Sequence, residues 1–103
     1  MNREEGEAAV RAAYEFLEER GQATKAEIVR EVMPSHPLGY DVEAALDKLD
    51  GDKRYRGAWW RRVISPALET FDDIEKPTGG RSEWRCTGEA GAGIYDPTEE
   101  FEQ

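Results

Sequence analysis

Residues 59–87, WWRRVISPALETFDDIEKPTGGRSEWRCT, contain the two elements that decide the fold. In the first half, apolar residues fall within one ~140° stripe at the 100° per residue of an α-helix, which predicts a helix over about 57–72. In the second half, two short strands at 73–77 and 82–87 flank Gly79 and Gly80, which permit the positive φ of a tight turn. The apolar stripe consists of Trp60, Val63, Ile64, Ala67, Leu68 and Phe71.

Pro66 lies inside this predicted helix. Its ring removes the backbone bond to the Arg62 carbonyl, and we expect a kink rather than a break. The face opposite the apolar stripe carries Arg61, Arg62, Ser65 and Glu69. Such polar groups can reach the phosphates and base edges of DNA. Alternatively, these side chains form only a solvent-exposed surface of the helix.

The residues before 59 predict three further helices. Apolar residues at helical spacing indicate a first helix over 3–20, which ends at Gly21 because a left-handed cap favours glycine. Thr24 and Glu27 form a capping-box pattern that begins a second helix over about 24–33, and Asp41 can cap a third helix over the following two to three turns. The predicted fold is therefore mainly α with a small β-hairpin (α+β), with about four helices followed by two strands.

The charge distribution suggests a partner. The chain has 103 residues and a net charge of −9, but the charge is −7 over residues 1–52, +3 over 53–88 and −5 over 89–103. The cations of the middle block alternate with aromatic residues, namely Tyr55, Trp59, Trp60 and Trp84. Cations and planar rings together favour contacts to phosphates and bases, so double-stranded DNA is the predicted partner. Alternatively, these arginines pair with neighbouring carboxylates on a soluble surface.

The acidic composition has two interpretations. The chain has 23 acidic residues, and its 14 basic residues include only 4 Lys. Many surface carboxylates are typical of halophilic proteins, in which concentrated salt screens their mutual repulsion. On the other interpretation, the acidity itself is functional, as in a DNA mimic or a ligand of a basic protein.

Enzymatic, metal and membrane functions lack a sequence signal. Cys86 is the single cysteine and His36 the single histidine, so no metal-ligand spacing is present, and no cofactor is predicted. The acidic residues of the first helix lack a nucleophile beside them. No apolar run approaches the ~20 residues that span a bilayer, and we expect a cytoplasmic protein. We expect one domain over 1–88 and a mobile, acidic, glycine-containing tail over 89–103.

The chain resembles a winged helix-turn-helix domain over about residues 7–88. The resemblance is carried by residues 21–29, GQATKAEIV, by Trp59–Ile64 with Pro66 and Leu68, and by the hairpin with Gly79 and Gly80 at its tip. The second of these patterns is also similar to that of small proteins of halophilic archaea. The resemblance implies a noncovalent DNA-binding module, a transcriptional regulator that can form a homodimer.

The resemblance also implies where DNA would bind. In this family the helix before the wing enters the major groove, which assigns Arg61, Arg62 and Ser65 to the recognition helix over about 57–72. Arg81 would lie at the tip of the wing over about 73–87, and Lys53, Arg54 and Arg56 would contact phosphates. One departure from the family is an extra segment over 41–57, whose acidic helix would repel phosphate.

A second hypothesis uses the same fold differently. Trp59 lies at the edge of the apolar stripe, where a ring can be partly exposed and contact a partner. The protein would then be a winged-helix protein–protein interaction module without DNA binding, in which Trp59 and the basic block hold an acidic or aromatic partner.

Overall fold

A computed structural model describes residues 3–52 and 57–87, which form four helices and three short strands. In chain order the elements are α1 (Arg3–Arg20), β1 (Gln22–Thr24), α2 (Lys25–Val32), a 3₁₀ turn (Met33–Ser35), α3 (Val42–Gly51), α4, β2 (Ile74–Glu75) and β3 (Glu83–Cys86). Helix α4 has a π-helical section, Trp59–Ile64, which continues into an α-helical section, Ser65–Leu68. The predicted mainly helical α+β class is confirmed.

The first three helices begin and end for the reasons that the sequence indicated. Helix α1 is followed by Gly21 at φ +85°, a conformation that glycine adopts without a Cβ clash. The Thr24 hydroxyl accepts from the Glu27 amide at 3.2 Å, while the Glu27 carboxylate accepts from the Thr24 amide at 2.8 Å. The Asp41 carboxylate accepts from the Ala44 amide at 3.1 Å and caps α3. The capping box, the Asp41 cap and the Gly21 ending are all confirmed.

The sheet contains one strand that the sequence analysis did not predict. Strands β2 and β3 form the predicted hairpin, with Ile74 opposite Cys86, and β1 pairs antiparallel with the other edge of β3, so the order is β1-β3-β2. Strand β1 has three residues, too few to establish a period-2 pattern. Its pairing with β3 ties the start of α2 to the hairpin.

The hairpin turn runs from Thr78 to Arg81, whose amide donates to the Thr78 carbonyl at 3.2 Å. Gly79 has φ +65° at the first central position, as the primed turns of hairpins require. On β3, Trp84 is buried and Arg85 is exposed, as expected when successive side chains of a strand point to opposite faces.

The core lies between α1, α2, α4 and one face of the sheet. Helix α1 contributes Ala9, Ala13 and Leu17, each fully buried, and the small alanines allow close approach of the neighbouring helix. Trp60 of α4 meets Trp84 of β3 edge to face, with ring centroids 5.3 Å apart. This pair joins the fourth helix to the sheet.

The base of the hairpin is fastened to α1 by a small polar and aromatic cluster. The Tyr14 hydroxyl donates to the Asp73 carboxylate at 2.5 Å, and the Tyr14 ring stacks on Phe71 with centroids 4.8 Å apart. The Asp73 carbonyl accepts from the Thr87 amide at 2.8 Å, which closes the base of the hairpin, opposite the turn.

Of the helices in the described ranges, none combines the length and the hydrophobicity that a membrane span requires.

Candidate nucleic-acid interface

The fourth helix differs from the predicted one in length and in helical type. It ends at Leu68 rather than near 72, and the Ser65 amide donates to the Trp60 carbonyl, five residues back, instead of to the carbonyl four residues back. The missing N–H of Pro66 lies just after this widened turn, and the helix continues past it without a break.

The widened turn moves Ser65 away from the predicted DNA-contacting face. Each residue of a π-helix turns about 82° around the helix axis, instead of the 100° of an α-helix. Over the five residues from Trp60 to Ser65, the direction of the Ser65 side chain therefore differs by about 90° from its direction in a regular α-helix. This rotation brings Ser65 into the apolar stripe, where it is 7% exposed. Ser65 is therefore buried in this conformation rather than on the outer face, and its contact with DNA stays a prediction that this position does not favour.

Arg61 and Arg62, by contrast, are both exposed on the outer face of α4. Three other arginines of the described chain are paired, Arg3 with Glu7, Arg20 with Glu27, and Arg30 with Asp50, whereas Arg11 and Arg85 form no ion pair with a described residue. Neither Arg61 nor Arg62 forms an ion pair with any residue of 3–52 or 57–87. Within residues 3–52 and 57–87, these two arginines therefore have no carboxylate partner.

Arg81 does not extend from the wing tip. Its guanidinium donates to the carbonyls of Lys76 at 3.2 Å and Glu83 at 3.4 Å, and lies 3.7 Å from the Glu75 carboxylate. The side chain is only 23% exposed. In this conformation its donors bridge the two sides of the hairpin loop, and the contact of Arg81 with DNA stays a prediction.

Trp59 also differs from its predicted position. It is 2% exposed, and its indole N–H donates to the His36 carbonyl at 2.7 Å. This bond anchors the start of α4 to the loop after α2, so a tryptophan at the edge of the stripe becomes part of the core. The prediction of a partly exposed Trp59 that contacts a partner is wrong, and the interaction-module hypothesis loses that anchor.

The remaining predicted contacts cannot be placed. Lys53, Arg54 and Arg56 lie outside the described residues, as does the predicted tail over 89–103. Arg85 is exposed, but it lies on the sheet face opposite Trp84, which packs on α4. The structure thus brings together Arg61 and Arg62 on one helix and separates them from Arg85.

A second feature has no counterpart in the sequence analysis. An apolar cleft of about 180 Å³ lies between α2, α3 and the start of α4. Its walls come from segments far apart in the chain, and its aromatic residues satisfy ordinary core patterns, so no local signal indicates it. The lining residues are Lys25, Val29, Met33, Tyr40, Asp41, Ala44, Ala45, Leu49, Gly57, Ala58, Trp59 and Trp60.

Among the described residues, the contacts that define the fold perturb Tyr14 and Glu27. Burial, the hydrogen bond to Asp73 and the negative charge of that carboxylate raise the pKa of Tyr14 well above its ordinary value of 10.0. The backbone hydrogen bond from Thr24 lowers the pKa of Glu27. Both shifts arise from structural contacts. No group of three or more metal-ligating side chains occurs in the described part of the chain.

Comparisons with protein-family models, with curated proteins and with solved structures find no match to this chain. Its function is therefore argued from the arrangement of its own residues.

Proposed function

We propose that the protein is a winged-helix DNA-binding protein and a transcriptional regulator, with α4 as its recognition helix. The order of elements supports this proposal. A helix, a short strand and two further helices, α2 and α3, precede α4, a hairpin follows α4, and the sheet order is β1-β3-β2. The winged-helix family uses a similar succession, without the extra helix α3, to present one helix to the major groove beside a β-hairpin.

The observation that carries the proposal is the pair of adjacent, exposed arginines, Arg61 and Arg62, without ion-pair partners in the described chain. In a protein of net charge −9, two adjacent exposed arginines form a local positive surface that can attract an anion. Arginine forks match phosphate and the O6/N7 edge of guanine. The guanine contact would place Arg61 and Arg62 in the major groove.

The first test is fluorescence anisotropy with a duplex pool of random sequence, from low to molar potassium chloride, followed by sequencing of the bound fraction. Phosphate contacts weaken as salt rises, whereas base contacts persist, so enrichment of particular sequences at high salt would support base readout. No saturable binding by the folded protein at any salt concentration would contradict the proposal and favour the interaction module.

Matched arginine variants locate the surface. Arg62→Ala should weaken binding to a selected site by about 1 to 3 kcal/mol, and Arg61→Ala should weaken it by a similar amount or reduce the salt dependence. Arg85→Ala is the control, because it removes the same charge from an exposed residue on the far side of the sheet. Equal losses from all three variants would show that only net charge matters, and α4 would not be the recognition helix.

A further inference from the structure

The end of α4 is joined to the hairpin by an ion pair. The Lys76 Nζ lies 3.5 Å from the Glu69 carboxylate, and no other ion pair of the described ranges links these two elements. Lys76 directly follows β2. Glu69 is the cap residue of α4, and its amide donates to the Ser65 carbonyl at 3.2 Å. The pair therefore places a cation of the hairpin beside the end of the proposed recognition helix.

Glu69 lies on the same face of α4 as Arg62. Arg62, Pro66 and Glu69 are all exposed, and they follow one another at spacings of four and three residues, which keeps side chains on one side of a helix. Lys76 therefore lies at the edge of the surface that carries the arginine pair. The Glu69 carboxylate reduces the positive charge of this surface, because it neutralises the lysine.

The other two cations of the described hairpin, residues 73–87, are less suited to this surface. The Arg81 guanidinium already contacts two carbonyl oxygens and the Glu75 carboxylate within the hairpin. Arg85 lies on the face of the sheet opposite Trp84, which packs on α4. Lys76 is thus the cation of the described hairpin that reaches the side of α4.

The ion pair between Glu69 and Lys76 is open to exchange. The two side chains are 45% and 61% exposed, respectively. Exposed pairs of this kind contribute little to stability, because water screens the charges and both side chains lose conformational freedom. A phosphate is an anionic partner of the same sign, and its neutralisation by lysine releases a counterion from DNA, which favours binding. A DNA phosphate can therefore replace the carboxylate with little loss of folding stability.

We propose that Lys76 binds a DNA phosphate and that Glu69 is the internal competitor for this lysine. DNA binding breaks the Glu69–Lys76 ion pair and replaces it with a lysine–phosphate pair. This inference rests on the proposed DNA-binding function and adds a contact that α4 alone does not provide. It also gives Glu69 an inhibitory role, since its carboxylate lowers the affinity of the protein for DNA.

The test measures the affinity of the whole chain and its variants for a fluorescein-labelled duplex pool of random sequence. Glu69→Gln should bind about two- to fivefold more tightly than the wild type, the effect of releasing one exposed ion pair. Lys76→Gln should bind more weakly, and the slope of log affinity against log salt should become shallower by about 1, as expected for one lost phosphate contact.

Two variants control for net charge. Glu15→Gln removes one negative charge from an exposed position on α1, and Arg85→Gln removes one positive charge from the far face of the sheet. Each should change the affinity clearly less than the variant of the same charge change at Glu69 or Lys76. Thermal unfolding shows that the variants compared are folded.

The double variant Glu69→Gln/Lys76→Gln separates release of the lysine from a general loss of negative charge. If Glu69 acts by holding Lys76, Glu69→Gln should tighten binding clearly more in the wild type than in the Lys76→Gln background. A second measurement uses the unaltered protein. The side-chain NMR signals of Lys76 should shift and saturate when the duplex is added, because the ammonium group changes its partner.

Three results would overturn this inference alone, in a protein whose wild type binds the duplex and whose Arg62→Ala variant binds it more weakly. They are no gain of affinity from Glu69→Gln, equal gains in the wild type and in the Lys76→Gln background, and equal losses from Lys76→Gln and Arg85→Gln. A folded wild type that does not bind the duplex at any salt concentration would overturn the proposed function and this inference together.

Discussion

Replacing Tyr14 with Phe should lower the free energy of unfolding by about 1.5 kcal/mol, because it removes one hydroxyl and little else. That hydroxyl donates to the Asp73 carboxylate at 2.5 Å, and hydrogen bonds to charged groups contribute about 1.5 to 3 kcal/mol. The lower end applies because the contact is only partly buried. The phenyl ring can keep its stacking on Phe71.

The assay is urea unfolding followed by tryptophan fluorescence. For a slope of about 1.5 kcal/mol per M, the expected loss shifts the midpoint by about 1 M. Tyr40→Phe is the control, since Tyr40 is also half-buried and its hydroxyl has no hydrogen bond within the described ranges. Its midpoint should change little.

A double-mutant cycle with Asp73→Ala, which removes the acceptor, separates the Tyr14–Asp73 contact from indirect effects. Direct coupling requires that the two substitutions together cost less than the sum of their separate costs. Losses that add to within about 0.5 kcal/mol would refute the reasoning, as would equal losses from Tyr14→Phe and Tyr40→Phe.

Two further predictions follow from the polar contacts of Tyr14 on α1 and of Thr24 at the start of α2. The pKa of Tyr14 is raised in the folded protein, so above pH ~10 the unfolded chain loses a proton that the folded chain keeps. The free energy of unfolding should therefore fall more steeply with pH in the wild type than in Tyr14→Phe, as urea midpoints at about pH 9 and 11 would show. Thr24→Ala should lower the free energy of unfolding by about 1 kcal/mol, because it removes the side-chain acceptor of the capping box. Thr78→Ala, on the exposed hairpin turn, is the control and should change the urea midpoint little, so similar effects of both variants would argue against the cap.

Much of the fold could be predicted because its determinants are local. A glycine, a capping box and an Asx cap set the ends of the first three helices, and each acts within four residues of itself. The third strand was missed for the opposite reason. Residues Gln22–Thr24 are extended because β3, some sixty residues later, provides their hydrogen-bond partners.

The candidate site was predicted less well, because it depends on side-chain direction. A regular 100° rotation placed Ser65 beside Arg62, and the change to i→i+5 bonding before Pro66 removed it from that face. For Arg81, the sequence showed a cation at a turn but not the two carbonyls that hold it. Arg61 and Arg62 stayed on the exposed face because they lie close to Trp60, where the difference in rotation between the π-helix and an α-helix is still small.

The π-helical section also bears on how this surface can change in evolution. A π turn is equivalent to an α turn with one inserted residue, so a single deletion within Trp59–Ile64 can be absorbed by returning the turn to α geometry. The helix on either side would keep its register with the core, while the outward residues would be re-aimed. Length variation at this one turn could therefore redirect the arginine pair without rebuilding the domain.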